Sequence, residues 1–162
     1  MEYWDAYDAA ERLTGRTLIR GECIPDGLYH LVCEVLVRHT DGDYLLMKRS
    51  ALKPNYPGRY EATSGGSALQ GEDALSCIRR ELCEETGIVC DNFTEVWRYC
   101  DQKHTLYRGY VCTVSIDKTA IRLQEGETEG YLWLNEADFL AFARSSKAIP
   151  PQQQRWKHYL QL

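Results

Sequence analysis

Apolar runs separated by polar turns recur along most of the chain, and they predict several strands around one long helix. The strand-like runs lie over 31–38, 44–48, 93–101, 105–116 and 130–134. Asp41-Gly42, between the first two runs, is a hairpin signal. Shorter helices are predicted over 136–144 and over 152–160, the second after Pro150-Pro151. This order of elements predicts an α+β fold with a mixed sheet.

The long helix is predicted over 73–86, and Gly87 follows it as a C-terminal stop signal. With Ala74 as zero and about 100° per residue, four apolar residues share an arc of roughly 100°. They are Ala74, Leu75, Ile78 and Leu82. We expect this arc to face the core.

Three glutamates of the same helix lie beside or inside the apolar arc. Glu81, Glu84 and Glu85 fall near 340°, 280° and 20° on the wheel. Solvated glutamates would instead face away from the core, because charged groups are rarely buried unpaired. Clustered carboxylates at a core edge repel one another and need a cation or strong donors. The pattern therefore favours a site for Mg²⁺, with Mn²⁺ as an alternative.

The helix and the glycine-containing loop before it carry a complete sequence signature. Every defined position of G-x5-E-x7-R-E-U-x-E-E-x-G-U, where U is a bulky aliphatic residue, is filled between Gly66 and Ile88. The chain therefore resembles the Nudix hydrolases. The resemblance implies a single domain over residues 1–162 with an α/β/α sandwich around a mixed β-sheet. It also implies Mg²⁺-dependent cleavage of a diphosphate bond in a small, nucleotide-like or other diphosphate metabolite.

The resemblance also implies roles for individual residues. Glu81, Glu84 and Glu85 match the family's metal-binding and catalytic glutamates, and Arg80 matches the residue that orients them. Several Nudix enzymes draw a further metal ligand or base from an acidic loop, and Glu127 in the loop over 125–129 fits that position. The resemblance leaves open which of these carboxylates is the general base.

A basic segment precedes the box. Residues 46–59 contain four basic residues and no acidic one. Arginine and lysine supply donors for phosphate oxygens, so we expect Lys48, Arg49, Lys53 and Arg59 to bind the substrate. We add Gly65, because adjacent glycines allow a ligand to approach the backbone closely.

Two other functions are compatible with parts of the sequence. The pattern from Tyr29 through Tyr60 resembles the Nudix branch that includes isopentenyl-diphosphate isomerase, and His30 matches one of that enzyme's metal-binding histidines. However, Gly65 stands where the isomerase has its catalytic cysteine, and Ser67 where it has a metal-binding histidine. We therefore expect His30 to be a hydrogen-bonded structural residue. A non-catalytic Nudix ligand-sensing domain is the third reading, and the intact carboxylates count against it.

Composition sets the remaining expectations. The 162 residues carry a formal net charge of -5, which argues against a nucleic-acid partner. No apolar run reaches the roughly 20 residues of a membrane span, and no signal peptide is evident. The seven cysteines are odd in number and lack a C-x-x-C pair. We expect a cytoplasmic monomer or homodimer whose cysteines are reduced and mostly buried.

Overall fold

The computed structural model describes residues 1–162, which form nine strands and three helices. The strands are β1 Tyr3–Tyr7, β2 Leu13–Ile19, β3 His30–His39, β4 Tyr44–Arg49, β5 Tyr60–Glu61, β6 Thr63–Ser67, β7 Thr94–Cys100, β8 Thr105–Val114 and β9 Thr128–Leu134. The helices are α1 Ala74–Thr86, α2 Glu136–Arg144 and α3 Pro150–Trp156. The predicted α+β organisation with a mixed sheet is confirmed.

The main sheet has seven strands and is built around β3. Its path runs β5-β4-β3-β8-β7, while β6 pairs with β3 and β9 pairs with β4. The pairing of β3 with β8 is parallel from His30 opposite Thr105 to His39 opposite Val114, and the other pairings are antiparallel. Residues of β3 alternate between the two faces of the sheet, as side chains of a strand do.

Each face of the sheet is covered by helix. Cys33, Val35 and Val37 of β3 share a buried cluster with Ile78 and Leu82 of α1. On the other face, residues of β3 and β4 pack with α2 and α3; these are Leu36, Tyr44, Leu46, Phe139 and Trp156. The result is the predicted α/β/α sandwich. None of the helices is long and apolar enough to cross a membrane.

Helix α1 has defined caps at both ends. The Asp73 side chain accepts a hydrogen bond from the Ser76 amide, and Gly87 ends the helix in the left-handed conformation at φ 75°. One residue of the predicted core arc is misplaced: Leu75 is exposed. The buried face of α1 includes Cys77 but not Leu75. Its centre is therefore closer to Glu81 and Glu85 than the centre of the predicted arc is.

Several elements differ from the sequence-based prediction. The β1–β2 hairpin was not predicted, and the glycine-containing loop is partly strand, as β6. Gly65 permits the close pairing of β6 with β3, since a Cβ there would lie 2.1 Å from the Cys33 carbonyl oxygen. Helix α3 begins at Pro150 and ends at Trp156, whereas the prediction placed it over 152–160. Proline occupies its first turn, where no amide donor is needed.

Candidate active site

A polar cavity of about 520 Å³ opens beside α1. Only two hydrophobic residues, Val32 and Leu69, line it. Its acidic residues are Glu2, Glu34, Glu61, Glu81, Glu84, Glu85 and Glu127. Its basic residues are Arg20, Arg49, Lys53, Arg80 and Arg155. The cavity thus brings the three helix glutamates together with Glu127, Arg49 and Lys53.

Arg80 holds the carboxylates of the box in place. Its Nε and Nη2 donate to the two oxygens of Glu72 at 2.7 and 2.8 Å. Its Nη1 donates to Glu81 at 2.8 Å and to Glu84 at 3.2 Å. The hydrogen bonds from Arg80 hold the pKa of Glu72 below its ordinary value. The expectation that Arg80 orients the glutamates agrees with this geometry.

Gly66 makes room for Glu81. A Cβ at Gly66 would lie 2.5 Å from Glu81 Oε1, so any other residue would push that carboxylate aside. Burial raises the pKa of Glu81 above its ordinary value, against the opposing effect of Arg80. Glu81 is therefore held by the helix and by β6 in a position where its charge is poorly solvated.

Glu85 lies deepest of the three helix glutamates and has no cationic side chain within ion-pair distance. Its Oε2 accepts a hydrogen bond from the Gly65 amide at 3.1 Å. Burial raises its pKa well above the ordinary value, and the charges of Glu61 and Glu81 raise it further. Gly65 lines the cavity, but its amide is already used by Glu85 and is not free for a phosphate.

The chemistry of these donors fits a divalent cation. Carboxylate oxygens are the ligands that Mg²⁺ and Mn²⁺ prefer, and the buried negative charge around Glu85 lacks a matching positive charge. No three Asp, Glu, His or Cys side chains converge on one point in the structure. Glu81 and Glu84 instead turn toward Arg80. The donor types are present, whereas a three-ligand set is not already assembled.

The basic segment contributes only half of its cations to the cavity. Arg49 donates to Glu61 at 2.8 Å, and Lys53 is paired with Glu127 at the cavity wall. Lys48 and Arg59 do not line the cavity. Lys48 pairs with Glu129 at 2.8 Å. Arg59 donates to the carbonyl oxygens of residues 146 and 148 at 2.6 and 3.0 Å, so the expectation that these two residues bind substrate is corrected.

Sequence reasoning missed a buried ion pair beneath the cavity. Arg155 of α3 donates to both oxygens of Glu34, at 2.7 and 2.6 Å. Trp97 Nε1 donates to the same carboxylate at 3.1 Å. A charged residue inside the apolar run over 31–38 was the available signal, because a buried carboxylate requires a partner. Nothing in the sequence pointed to Arg155 as that partner.

Thiols, histidines and aromatic rings take no part in lining the cavity. All seven cysteines are free, but only Cys33, Cys77 and Cys112 are buried, so the expectation of mostly buried thiols is wrong. The His30 ring stacks on Trp4 at 4.4 Å, and its buried Nδ1 has no hydrogen-bond partner. His30 thus has a structural role, as expected, in which its ring stacks on Trp4, although Nδ1 lacks the expected hydrogen bond.

Known proteins resemble this chain over most of its length. The NUDIX domain model matches residues 28–156. An uncharacterised Nudix hydrolase of Listeria monocytogenes is 40% identical over 151 residues, which cover 93% of this chain and 89% of the relative.

Solved structures share the fold at low sequence identity. The crystal structure of DR0079 from Deinococcus radiodurans has a TM-score of 0.69 at 18% identity, covering 86% of this chain and 87% of that one. The NUDIX domain of Shewanella oneidensis NrtR, solved with ADP ribose, has a TM-score of 0.57 at 19% identity, covering 70% and 77%. Together with the complete box and its inward-facing carboxylates, the family model and the Listeria relative establish that this chain belongs to the Nudix hydrolase family.

Proposed function

We propose that this chain is a Mg²⁺-dependent hydrolase that cleaves the diphosphate bond of a small, polar metabolite. The observation that carries the proposal is the cluster of carboxylates in one cavity: Glu81 pairs only with Arg80, Glu61 pairs only with Arg49, and the buried Glu85 has no cationic partner. A divalent cation would neutralise that charge and a diphosphate together. The scarcity of apolar residues in the cavity supports a polar substrate, and the NrtR domain was solved with ADP ribose, itself a diphosphate.

We assign metal binding, proton transfer and phosphate binding to different residues of the cavity. Glu81, Glu84, Glu85 and Glu127 would hold the metal, which supplies Lewis acidity and lowers the pKa of an attacking water. Glu84 is the most exposed of the helix glutamates, and one of its oxygens has no protein partner. We assign it the role of general base, which takes a proton from the water. Arg49 and Lys53 lie on the wall formed by the basic segment, where the donors that they do not use within the protein would bind phosphate oxygens.

A hydrolysis panel tests the proposal. The full chain is incubated with nucleotide sugars, dinucleotides, nucleoside triphosphates and prenyl diphosphates, with Mg²⁺ or with EDTA, and phosphorus-containing products are quantified. We expect turnover of at least one diphosphate class that EDTA abolishes. Absence of turnover across the panel, or turnover unaffected by EDTA, would contradict the proposal. With isopentenyl diphosphate we expect no dimethylallyl diphosphate, since no cysteine lines the cavity.

The role of Glu127 has a matched control in the same loop. Glu127 lines the cavity, whereas Glu125 is exposed outside it. We expect Glu127→Gln to raise the Mg²⁺ concentration needed for half-maximal rate by about tenfold, with Glu125→Gln unchanged. Direct titration of Mn²⁺ onto each substrate-free variant gives the same comparison without turnover. Equal metal affinity in the two variants would remove Glu127 from the ligand set.

A further inference from the structure

The N-terminal hairpin is attached to the Nudix box although it lies outside the matched domain. Strands β1 and β2 end at Ile19, and the family model begins at residue 28. The Gln70 amide donates to the Tyr3 carbonyl at 2.9 Å, and the Gly71 amide donates to the Asp5 carboxylate at 2.7 Å. The hairpin therefore forms part of the wall next to the loop that carries Glu72.

Two residues flanking this hairpin, Glu2 and Arg20, line the cavity. Glu2 is fixed by a hydrogen bond from Trp4 Nε1 at 2.7 Å, and Trp4 stacks on His30 of β3. Arg20 Nη1 donates to Glu2 at 2.9 Å, and the Arg20 amide donates to the Glu2 carbonyl at 3.0 Å. Arg20 is thus held at the cavity rim by a chain of contacts that begins in the main sheet.

Arg20 differs from the other three arginines of the cavity in how few of its side-chain donors are used. Its side chain is 65% exposed, compared with 23% for Arg80 and 9% for Arg155. Arg80 and Arg155 each direct several donors to protein oxygens, and Arg49 donates to both Glu61 and the Asn55 carbonyl. Arg20 makes one side-chain hydrogen bond, so most of the guanidinium is available to a ligand.

We propose that Arg20 binds an oxyanion of the substrate, a phosphate oxygen at the rim of the cavity. This inference rests on the proposed function, since it assumes a diphosphate in the cavity. A guanidinium matches a phosphate through two parallel N–H donors, and such charge-assisted bonds are the stronger class of hydrogen bond. Glu2 keeps the guanidinium in place but also competes with the ligand for its charge.

Binding of methylenediphosphonate, a diphosphate analogue whose P–C–P bridge cannot be hydrolysed, tests the proposal. Its affinity for the full chain in Mg²⁺ is measured by calorimetry at low and high ionic strength. We expect Arg20→Gln to weaken binding about five- to tenfold and to flatten its salt dependence. Arg20→Lys should restore part of the affinity. Glu2→Gln, which removes the competing carboxylate, should tighten binding.

Arg12→Gln is the matched control. Arg12 borders the same hairpin, is 77% exposed and pairs with Asp8 at 2.8 Å, but it does not line the cavity. We expect its affinity for methylenediphosphonate to equal that of the wild type. Equal affinities for the Arg20→Gln and Arg12→Gln variants, with binding to the wild type intact, would overturn the role of Arg20 alone. Absence of binding to the wild-type chain would overturn the proposed function as well.

Discussion

The two walls of the cavity differ in how far their side chains are fixed by local sequence. On α1, the spacing of Glu81, Glu84 and Glu85 turns all three toward one side of the helix, and all three line the cavity. In the basic segment, Lys53 lines the cavity while Lys48 pairs with Glu129 outside it. Helical periodicity sets the direction of the glutamates, whereas ion pairs with distant residues set the direction of the lysines.

Glu84→Gln tests the helix wall with the largest expected effect. Loss of the carboxylate removes both a metal ligand and the proposed general base, so we expect kcat to fall at least about 100-fold. Steady-state kinetics on the substrate found in the panel measures it. Cys83→Ser is the control, because Cys83 is its exposed neighbour on α1 and does not line the cavity. Unchanged turnover in the Glu84 variant would refute its catalytic role.

Arg80→Lys tests whether the helix wall needs the guanidinium itself. Lysine keeps the charge but cannot make the paired bonds to Glu72 together with the bond to Glu81. We expect kcat to fall about 10- to 100-fold. Arg79→Lys is the control, since Arg79 is the preceding residue and pairs with Asp91 outside the cavity. If both variants retain full activity, the orienting role of Arg80 is wrong.

Lys53→Gln and Lys48→Gln compare the two lysines of the basic segment. Each lysine pairs with a glutamate of the acidic loop, but only Lys53 lines the cavity. We expect the Lys53 variant to raise KM about fivefold, on the order of 1 kcal/mol, and the Lys48 variant to leave KM unchanged. An equal rise in KM in both variants would contradict the assignment of Lys53, and not Lys48, to the substrate-binding wall.

Glu85→Gln tests the buried charge in the metal-free protein. Burial raises the folded-state pKa of Glu85. Between the pKa of Glu85 in the unfolded chain and its higher pKa in the folded protein, the folded state binds more protons than the unfolded state. The free energy of unfolding therefore falls as the pH rises through this range. We expect the glutamine variant to lack this fall. The two plots of unfolding free energy against pH should then differ in slope by an amount that corresponds to at most one bound proton. Urea unfolding at a series of pH values in EDTA measures both slopes, and parallel curves would contradict the prediction.

The fold was largely predictable where the pattern is repetitive and long. The helix over 73–86 and the main strands emerged from apolar spacing and from the stop at Gly87. The β1–β2 hairpin was missed because only Trp4, Ala6, Leu18 and Leu28 with their neighbours make its small core. Leu75 was misplaced because the wheel shows which side of α1 is apolar but not the tilt at which α1 packs on the sheet.

The site was predictable to the extent that the box specifies it. Contacts between distant segments were not: Lys48 and Arg59 satisfy their donors on residues far along the chain, and no local spacing encodes that choice. Arg20 was missed for the same reason, since its place in the cavity depends on how the hairpin docks on Gln70 and Gly71.

The pairing of Glu34 with Arg155 has a consequence for the order in which the protein assembles. The two residues are 121 positions apart, and both are almost fully buried. During synthesis from the N-terminus, β3 emerges long before α3, and a buried carboxylate without its partner costs several kcal/mol. We therefore expect the α2–α3 face of the sheet to stay open to water around Glu34 until Arg155 arrives. The cavity, which Glu34 and Arg155 line, would then be completed late in assembly, after α1 has docked on the opposite face.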